Sequence, residues 1–385
     1  MTTIILHLCG LLGDPRDELD GRTVLEVADP PALRRLSIEG SLGTVSLVPQ
    51  GMFREAGVEA LALLGYEPPR ETGLGALEAL GIGVSLGSRE VGFRVNLVAT
   101  DGERLLDARA GRITHGEACR LMEEVDRRLS TRSLSFYPGQ DHAHVMVWTE
   151  GPLFAVCTPA LEAEGRSLEE VLPVGDGEAA LRRLVWDSYE ILDSRPYNVR
   201  RRGEGLLPAN MIWPWAPSRA PALRPLALRA SLRAQVWTSR LAVMGAARAL
   251  EVPFSLVPPT LQGTAPDVVA RLSELDLAYL QADVAPLVRE EGDPEEWVAA
   301  VRRLSAELVE PLCAHVAAGA ARTRLLVVAT RAEGRPETPP DAVWAAFPPL
   351  RGRAADAGEF TERAARELGA SVDEGWRLLE VVSRG

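Results

Sequence analysis

Residues 50–68 read QGMFREAGVEALALLGYEP. Gly51 and Gly57 flank charged residues, and the apolar run Leu61-Ala62-Leu63-Leu64 then leads to Gly65 and Tyr66. A loop opening onto a helix is a place where a nucleophile is expected. Yet positions 54–60 read Arg, Glu, Ala, Gly, Val, Glu, Ala, without a Ser, Thr, Cys or His.

On either side of this stretch, short apolar strands alternate with helical patterns. TIILHL at the N-terminus reads as a buried strand, since no basic segment precedes it as in a signal peptide. PPALRRLSIEG reads as a helix started by Pro and stopped by Gly40, GTVSLVP as a strand, EALALLG as a helix, and VGFRVNLVAT as a strand of period two. Such alternation predicts an α/β fold with a mostly parallel sheet and helices on both faces. From about residue 107 the pattern changes to a compact α+β unit with the amphipathic helices HGEACRLMEEVDRRL and DGEAALRRLVWDSYEIL. Residues 203–226, rich in Pro, Trp and Arg, read as an extended connection. The α/β pattern then resumes with AQVWTSRLAVMGAARAL as a helix, LAYLQAD as a strand and RLLVVAT as a strand. The expected organisation is a core of residues 1–106 and 196–385 interrupted by an inserted α+β domain of residues 107–195. Ile4–Leu8, Phe93–Val98 and Leu325–Ala329 are expected in one sheet.

The chain has 385 residues, 46% of them hydrophobic and 25% charged, which fits a soluble globular protein of two domains. A net charge of −12 argues against nucleic-acid partners. No apolar stretch is long enough to span a membrane. All 42 basic residues are Arg, so Lys-based Schiff chemistry and Walker-type phosphate binding are excluded. Cys9, Cys119, Cys157 and Cys313 have no metal-like spacing, and they fit a reducing, cytoplasmic compartment.

A metal site needs converging His and carboxylates. The chain offers only His7, His115, His142, His144 and His315. His142 and His144 stand two apart and share a strand face, suiting either a metal or anion site or a half-exposed surface. There is no G-x-S-x-G elbow, and GLGALEALGIGVSLG lacks the strand–turn–helix context of a dinucleotide fingerprint. SRPYNVRRRGEGLLPANMIWPW gathers Arg195, Arg200, Arg201 and Arg202 beside Asn198 and Asn210. Arg forks suit phosphate or carboxylate, although a run of charges also makes an ordinary solvated face.

Several segments together resemble one family: DELDGRTVLEVADPPALRRLSIEGSLGTVSLVPQG, LALLGYEP, TGLGALEALGIGV, VGFRVNLVATDG, LLDARAGRIT, RPYNVRRRGEGLLPANMIWPW and DAGEFTERAARELG. They are similar, nearly end to end and in order, to the short archaeal-type cofactor-independent phosphoglycerate mutases of the alkaline phosphatase superfamily. The resemblance implies a phosphatase-like core, an inserted substrate domain, a Ser nucleophile and two divalent metals such as Mn or Zn. It also implies interconversion of 2- and 3-phosphoglycerate in glycolysis through that Ser.

Carried over position by position, the resemblance puts Ala56 where the nucleophile belongs and Cys9 where the first metal-binding Asp belongs. Gly57 and Ala60 take the places of a further Asp and His, Pro286 and Glu290 those of two later ligands, and Arg331 and Ala332 those of the last Asp-His pair. The ligand-binding half departs less: Arg94, Asn96, His144, Asn198, Arg201, Arg202 and Asn210 match, whereas Ala143 and Arg195 depart. The matching residues serve either to grip a phosphorylated or carboxylate ligand or to fix loops.

The expectation is therefore a catalytically degenerate family member without a tightly bound metal cofactor, acting through a phosphorylated small molecule or a protein partner such as an active paralogue. The alternatives are an active mutase or phosphatase with a site rebuilt from Cys9, Glu55, Glu59, His7 or Glu290, and a structural subunit of a complex.

Overall fold

A computed structural model describes residues 2–288, 293–319, 323–332, 342–350 and 354–384. The chain divides into two compact units, residues 1–70 with 223–385 and residues 71–222.

The first unit is built on eight strands, numbered here along the whole chain: β1 (Thr2–Leu12), β2 (Ser41–Val45), β10 (Ala234–Thr238), β11 (Phe254–Leu256), β12 (Leu277–Asp283), β13 (Thr323–Arg331), β14 (Ala342–Phe347) and β15 (Ala370–Val372). They form one sheet in the order β11-β10-β12-β1-β13-β14-β2-β15. The run from β11 to β13 is parallel, and β14 lies antiparallel between β13 and β2. Side chains alternate across a strand, and that parity divides the unit. On one face Ile4, Leu6 and Leu8 join Ala278, Leu280, Leu325 and Val327 in a core closed by Leu33, Val268, Val301 and Leu304 from helices. On the other face His7 and Cys9 point the opposite way, and His7 meets Glu59 of the helix Ala56–Leu63. Helices thus cover both faces, as the α/β alternation predicts.

The second unit holds β3 (Glu90–Thr100), β4 (Leu105–Asp107), β5 (Leu134–Gln140), β6 (Ala143–Thr149), β7 (Ala155–Val156), β8 (Val174–Gly175) and β9 (Met211–Ser218). An antiparallel sheet runs β4-β3-β6-β5, with β9 also paired to β3. Helices His115–Leu129 and Glu178–Leu192 supply Leu121, Met122, Val125 and Leu181 to a core with Phe93, Val95 and Leu97.

Four expectations are corrected here. Phe93–Val98 does not share a sheet with Ile4–Leu8: it is the centre of the second unit's sheet. For that reason the inserted unit spans residues 71–222 rather than 107–195, because β3 and β9, which flank the expected insert, pair with each other. Within the segment read as an extended connection, Met211–Ser218 is a strand, with prolines tolerated because β9 pairs on one side only among the described residues. Likewise the expected helix over AQVWTSRLAVMGAARAL is two elements, β10 and the helix Leu241–Ala249.

Candidate functional site

In open parallel sheets, ligands gather outside the carboxyl ends of the strands. The parity of the first unit places a set of polar side chains there. Strand register sets His7 beside Gln281 and Cys9 beside Asp283. Tyr279, Gln281 and Asp283 recur at every second position of β12 and so share the face of His7 and Cys9. Thr330 of β13 and Thr238 of β10 complete the row from the neighbouring strands. At Gly10 the backbone turns to φ +72°, a left-handed conformation that glycine adopts without strain, and the pairing of β1 with β13 slips there.

The side chains make one buried network. His7 Nδ1 shares a hydrogen bond of 2.7 Å with the Tyr279 hydroxyl. His7 Nε2 lies 3.3 Å from Cys9 Sγ, 3.2 Å from Glu59 Oε2 and 3.3 Å from Thr330 Oγ1. Gln281 Nε2 donates to Asp283 Oδ2 at 2.8 Å and faces Cys9 Sγ at 3.6 Å, while the Thr238 hydroxyl donates to Gln281 Oε1 at 2.6 Å. Asp283 is held by a two-pronged contact from Arg240, at 2.8 and 3.0 Å. Burial, then the Asp283 and Glu59 charges, push the Cys9 thiol well above its ordinary value. Burial likewise pushes the Tyr279 hydroxyl up, so Tyr279 stays protonated.

Ala56 is the first residue of the helix Ala56–Leu63 and is buried. The residue before it fills the helix terminus. The Glu55 carboxylate accepts the Gly57 N–H and the Val58 N–H, both at 2.7 Å. These are the amides that a helix start presents to an anion.

The structure brings only part of the expected metal-position set to this cluster. Cys9 belongs to it, and Ala56 begins the helix that carries Glu59. Pro286 lies exposed in a turn after β12. Arg331 pairs with Asp14 and Glu362 at the end of β13, and Ala332 offers its carbonyl to Arg54. Glu290 lies outside the described residues. Two divalent ions need several oxygen and imidazole donors. Hydrocarbon at Ala56, Ala60 and Ala332, a ring at Pro286 and an engaged guanidinium at Arg331 do not fit such a pair. His7 and Glu59, read from sequence only as parts of a rebuilt site, do meet Cys9. Tyr279, Gln281, Asp283 and Thr330 were missed, although the period-two spacing within LAYLQAD signals a polar face.

The residues expected to bind ligand lie in the second unit. There Arg94 pairs with Glu78 and donates to Asn96 Oδ1 at 3.1 Å, and Asn96 donates to the Ala108 carbonyl. His144 accepts the Gly139 N–H on Nδ1, its Nε2 has no partner among the described residues, and burial drives its pKa well below the ordinary value. Asn198 donates to the Leu192 and Ala209 carbonyls and accepts the Ala209 N–H. Arg201, 4% exposed, donates to the carbonyls of Leu207, Ala110 and Gly111. Arg202 grips Asp193, and Asn210 joins Thr100 and Asp193. Of the two departures, Ala143 opens β6, and Arg195 donates to the Ile191 carbonyl.

A phosphatase-like α/β core with a polar cluster at its strand ends, carrying an antiparallel insert, defines the class of protein. Residues 38–198 match the family described as 2,3-bisphosphoglycerate-independent phosphoglycerate mutase. The probable enzyme of that name from Geobacter sulfurreducens is 30% identical, over 99% of each chain. The second such mutase of Methanothermobacter thermautotrophicus is 33% identical over 79% of this chain and 78% of its own. The chain therefore belongs to the 2,3-bisphosphoglycerate-independent phosphoglycerate mutase family. Two solved structures share the fold: a protein from Pyrococcus horikoshii (TM-score 0.71, 19% identity, 100% of this chain and 98% of that one), and the cofactor-independent phosphoglycerate mutase of Thermoplasma acidophilum (TM-score 0.57, 20% identity, 100% of both). Among the described residues no helix is long and apolar enough to cross a membrane.

Proposed function

We propose that this chain keeps the mutase scaffold without the family's phosphoryl transfer through serine and a metal pair, and that it acts by binding. The observation that carries this reading is the start of the helix Ala56–Leu63. Ala56 has no hydroxyl to accept a phosphoryl group, and Glu55 occupies the amides beside it with a negative charge of its own. An incoming phosphate meets a carboxylate where it needs donors. The role we infer is recognition of a phosphorylated or carboxylate-bearing small molecule, or of a protein partner such as an active paralogue, in the cytoplasm. Four free cysteines and the negative net charge support that setting.

The test is interconversion of 2- and 3-phosphoglycerate with Mn²⁺, Zn²⁺ or Co²⁺ supplied. Neither the natural chain nor Ala56→Ser is expected to turn over, because a hydroxyl without the family's metal pair remains a poor nucleophile and the phosphate charge stays largely unneutralised. Turnover by either chain overturns the reading.

A second reading, an active mutase or phosphatase with a rebuilt site, is favoured by the convergence of His7, Cys9 and Glu59 and by the full-length likeness to a probable mutase. It requires turnover in the natural chain that Cys9→Ser abolishes.

A further inference from the structure

We propose that His7, Cys9 and Glu59 form a binding site for a single thiolate-ligated divalent cation, with zinc the best match. This inference goes beyond the proposed function, since it needs neither the presence nor the absence of phosphoryl transfer.

The first support is geometric. A tetrahedral zinc holds sulfur at about 2.3 Å and nitrogen or oxygen at about 2.0–2.2 Å, which sets its donors roughly 3.2–3.6 Å apart. His7 Nε2 lies 3.3 Å from Cys9 Sγ and 3.2 Å from Glu59 Oε2, and the three donor atoms all fall within 4.8 Å of one another. All three side chains are buried, so they are held by packing rather than by solvent-exposed chance.

The second support is that protons alone satisfy this cluster badly. His7 Nε2 carries at most one hydrogen, yet Cys9, Glu59 and Thr330 all crowd it. Meanwhile Glu59 Oε1, also buried, has no partner among the described residues. A buried carboxylate oxygen without a partner is costly. A cation at the centre of the three donors relieves the crowding at His7 Nε2, and a water bound to it can donate to Glu59 Oε1. It also balances charge: one thiolate and one carboxylate neutralise a dication, while Asp283 is already matched by Arg240.

The surroundings fit a metal-bound imidazole. A ligating His holds its second ring nitrogen in a hydrogen bond that fixes ring and tautomer. Tyr279 provides that bond to His7 Nδ1 at 2.7 Å, leaving Nε2 as the donor to metal. Thr330 at 3.4 Å from Glu59 Oε2 and Gln281 at 3.6 Å from Cys9 Sγ steady the other two ligands. A thiolate in the set selects zinc or cobalt over Mg²⁺ or Mn²⁺. With three protein ligands, the fourth position falls to water. His7 and Glu59 are not among the positions where the family resemblance places metal ligands, so this site is a different one in donor set and in number of ions.

The experiment uses the whole chain, stripped with EDTA and reloaded with Zn²⁺ or, separately, Co²⁺. One equivalent of metal should survive gel filtration. The cobalt form should show a sulfur-to-cobalt charge-transfer band with the visible bands of tetrahedral cobalt. Cys9→Ser should lose the charge-transfer band, and Tyr279→Phe should bind Zn²⁺ about 10–100-fold more weakly while keeping it. Cys157→Ser, half-buried in the other unit, should behave as the natural chain. No retained metal in the natural chain, a band that survives Cys9→Ser, or a band that disappears in Cys157→Ser overturns the proposal. If Cys9→Ser fails to fold, Tyr279→Phe and the Zn²⁺-dependent rise in Tm of the natural chain decide it. The phosphoglycerate assay is read separately, so failure of one proposal leaves the other visible.

Discussion

At the ends of β1 and β12, His7 Nε2 is crowded by Cys9, Glu59 and Thr330 while Glu59 Oε1 meets nothing among the described residues. Between Leu192 and Asn210 the arrangement is the reverse. Asn198 makes three hydrogen bonds that tie Leu192 to Ala209, and Arg201 spends its fork on the carbonyls of Leu207, Ala110 and Gly111. The second region spends Asn198 and Arg201 on fastening loops. The first keeps polar chemistry with capacity to spare. Polar side chains consumed by the fold and polar side chains left with spare capacity are therefore different groups, and these two lie in different units.

The comparison is broken most directly at Arg201. Arg201→Ala strips three carbonyls of a charged donor in a buried setting. It should destabilise the second unit by about 3 kcal/mol, taking about 1.5–3 kcal/mol for a hydrogen bond to a charged group and allowing for overlap among the three. Urea unfolding followed by tryptophan fluorescence reads this. An unchanged midpoint together with weaker binding of 3-phosphoglycerate would make Arg201 a ligand residue instead.

A smaller effect is expected at Glu55. Glu55→Ala removes the cap of the helix Ala56–Leu63 and should cost about 1 kcal/mol. It also frees the Gly57 and Val58 amides. Inorganic phosphate should then raise the Tm of the variant and leave that of the natural chain unmoved. An equal response in both would mean that Glu55 does not block anions.

The smallest effect sharpens the contrast with a surface pair. Arg233 holds the Asp276 carboxyl down to about 2, by its side-chain and backbone hydrogen bonds. A depressed carboxylate contributes stability above its unfolded value and loses it as pH falls through the folded one. The pair's contribution should therefore fade between pH 3.8 and about 2. In Arg233→Ala, NMR titration should return Asp276 toward its ordinary value, and the exposed position keeps the effect on stability slight.

Local pattern made most elements legible. The helix His115–Leu129 was read to the residue from its amphipathic pattern, and the structure adds its cap, with Glu117 accepting the Thr114 N–H at 3.2 Å. Partner choice was not legible. β3 alternates as any half-buried strand does, and nothing in its residues says that β6 and β9, rather than β1, will lie beside it. AQVWT was absorbed into a helix because the Ala-rich run after it dominates, although Val, Trp and Thr favour a strand. At the site, the sequence itself showed that positions 54–60 hold no Ser and that no His follows His315; that a Ser and later His were expected there came from the resemblance. The meeting of His7 and Cys9 with Glu59 was not, because it depends on a helix folding back over one face of β1.

The prolines of β9 have a consequence for how the chain behaves in a crowd. Its pairing with β3 continues through Pro214, opposite Val95, and is then shifted near Ala216, which sits at φ +50°. Neither Pro214 nor Pro217 has an N–H to offer on the side away from β3. A bare strand margin recruits strands from other molecules and seeds aggregates. Here that margin is short of donors and bent out of register, two features that work against a stranger's strand where no further strand is paired among the described residues.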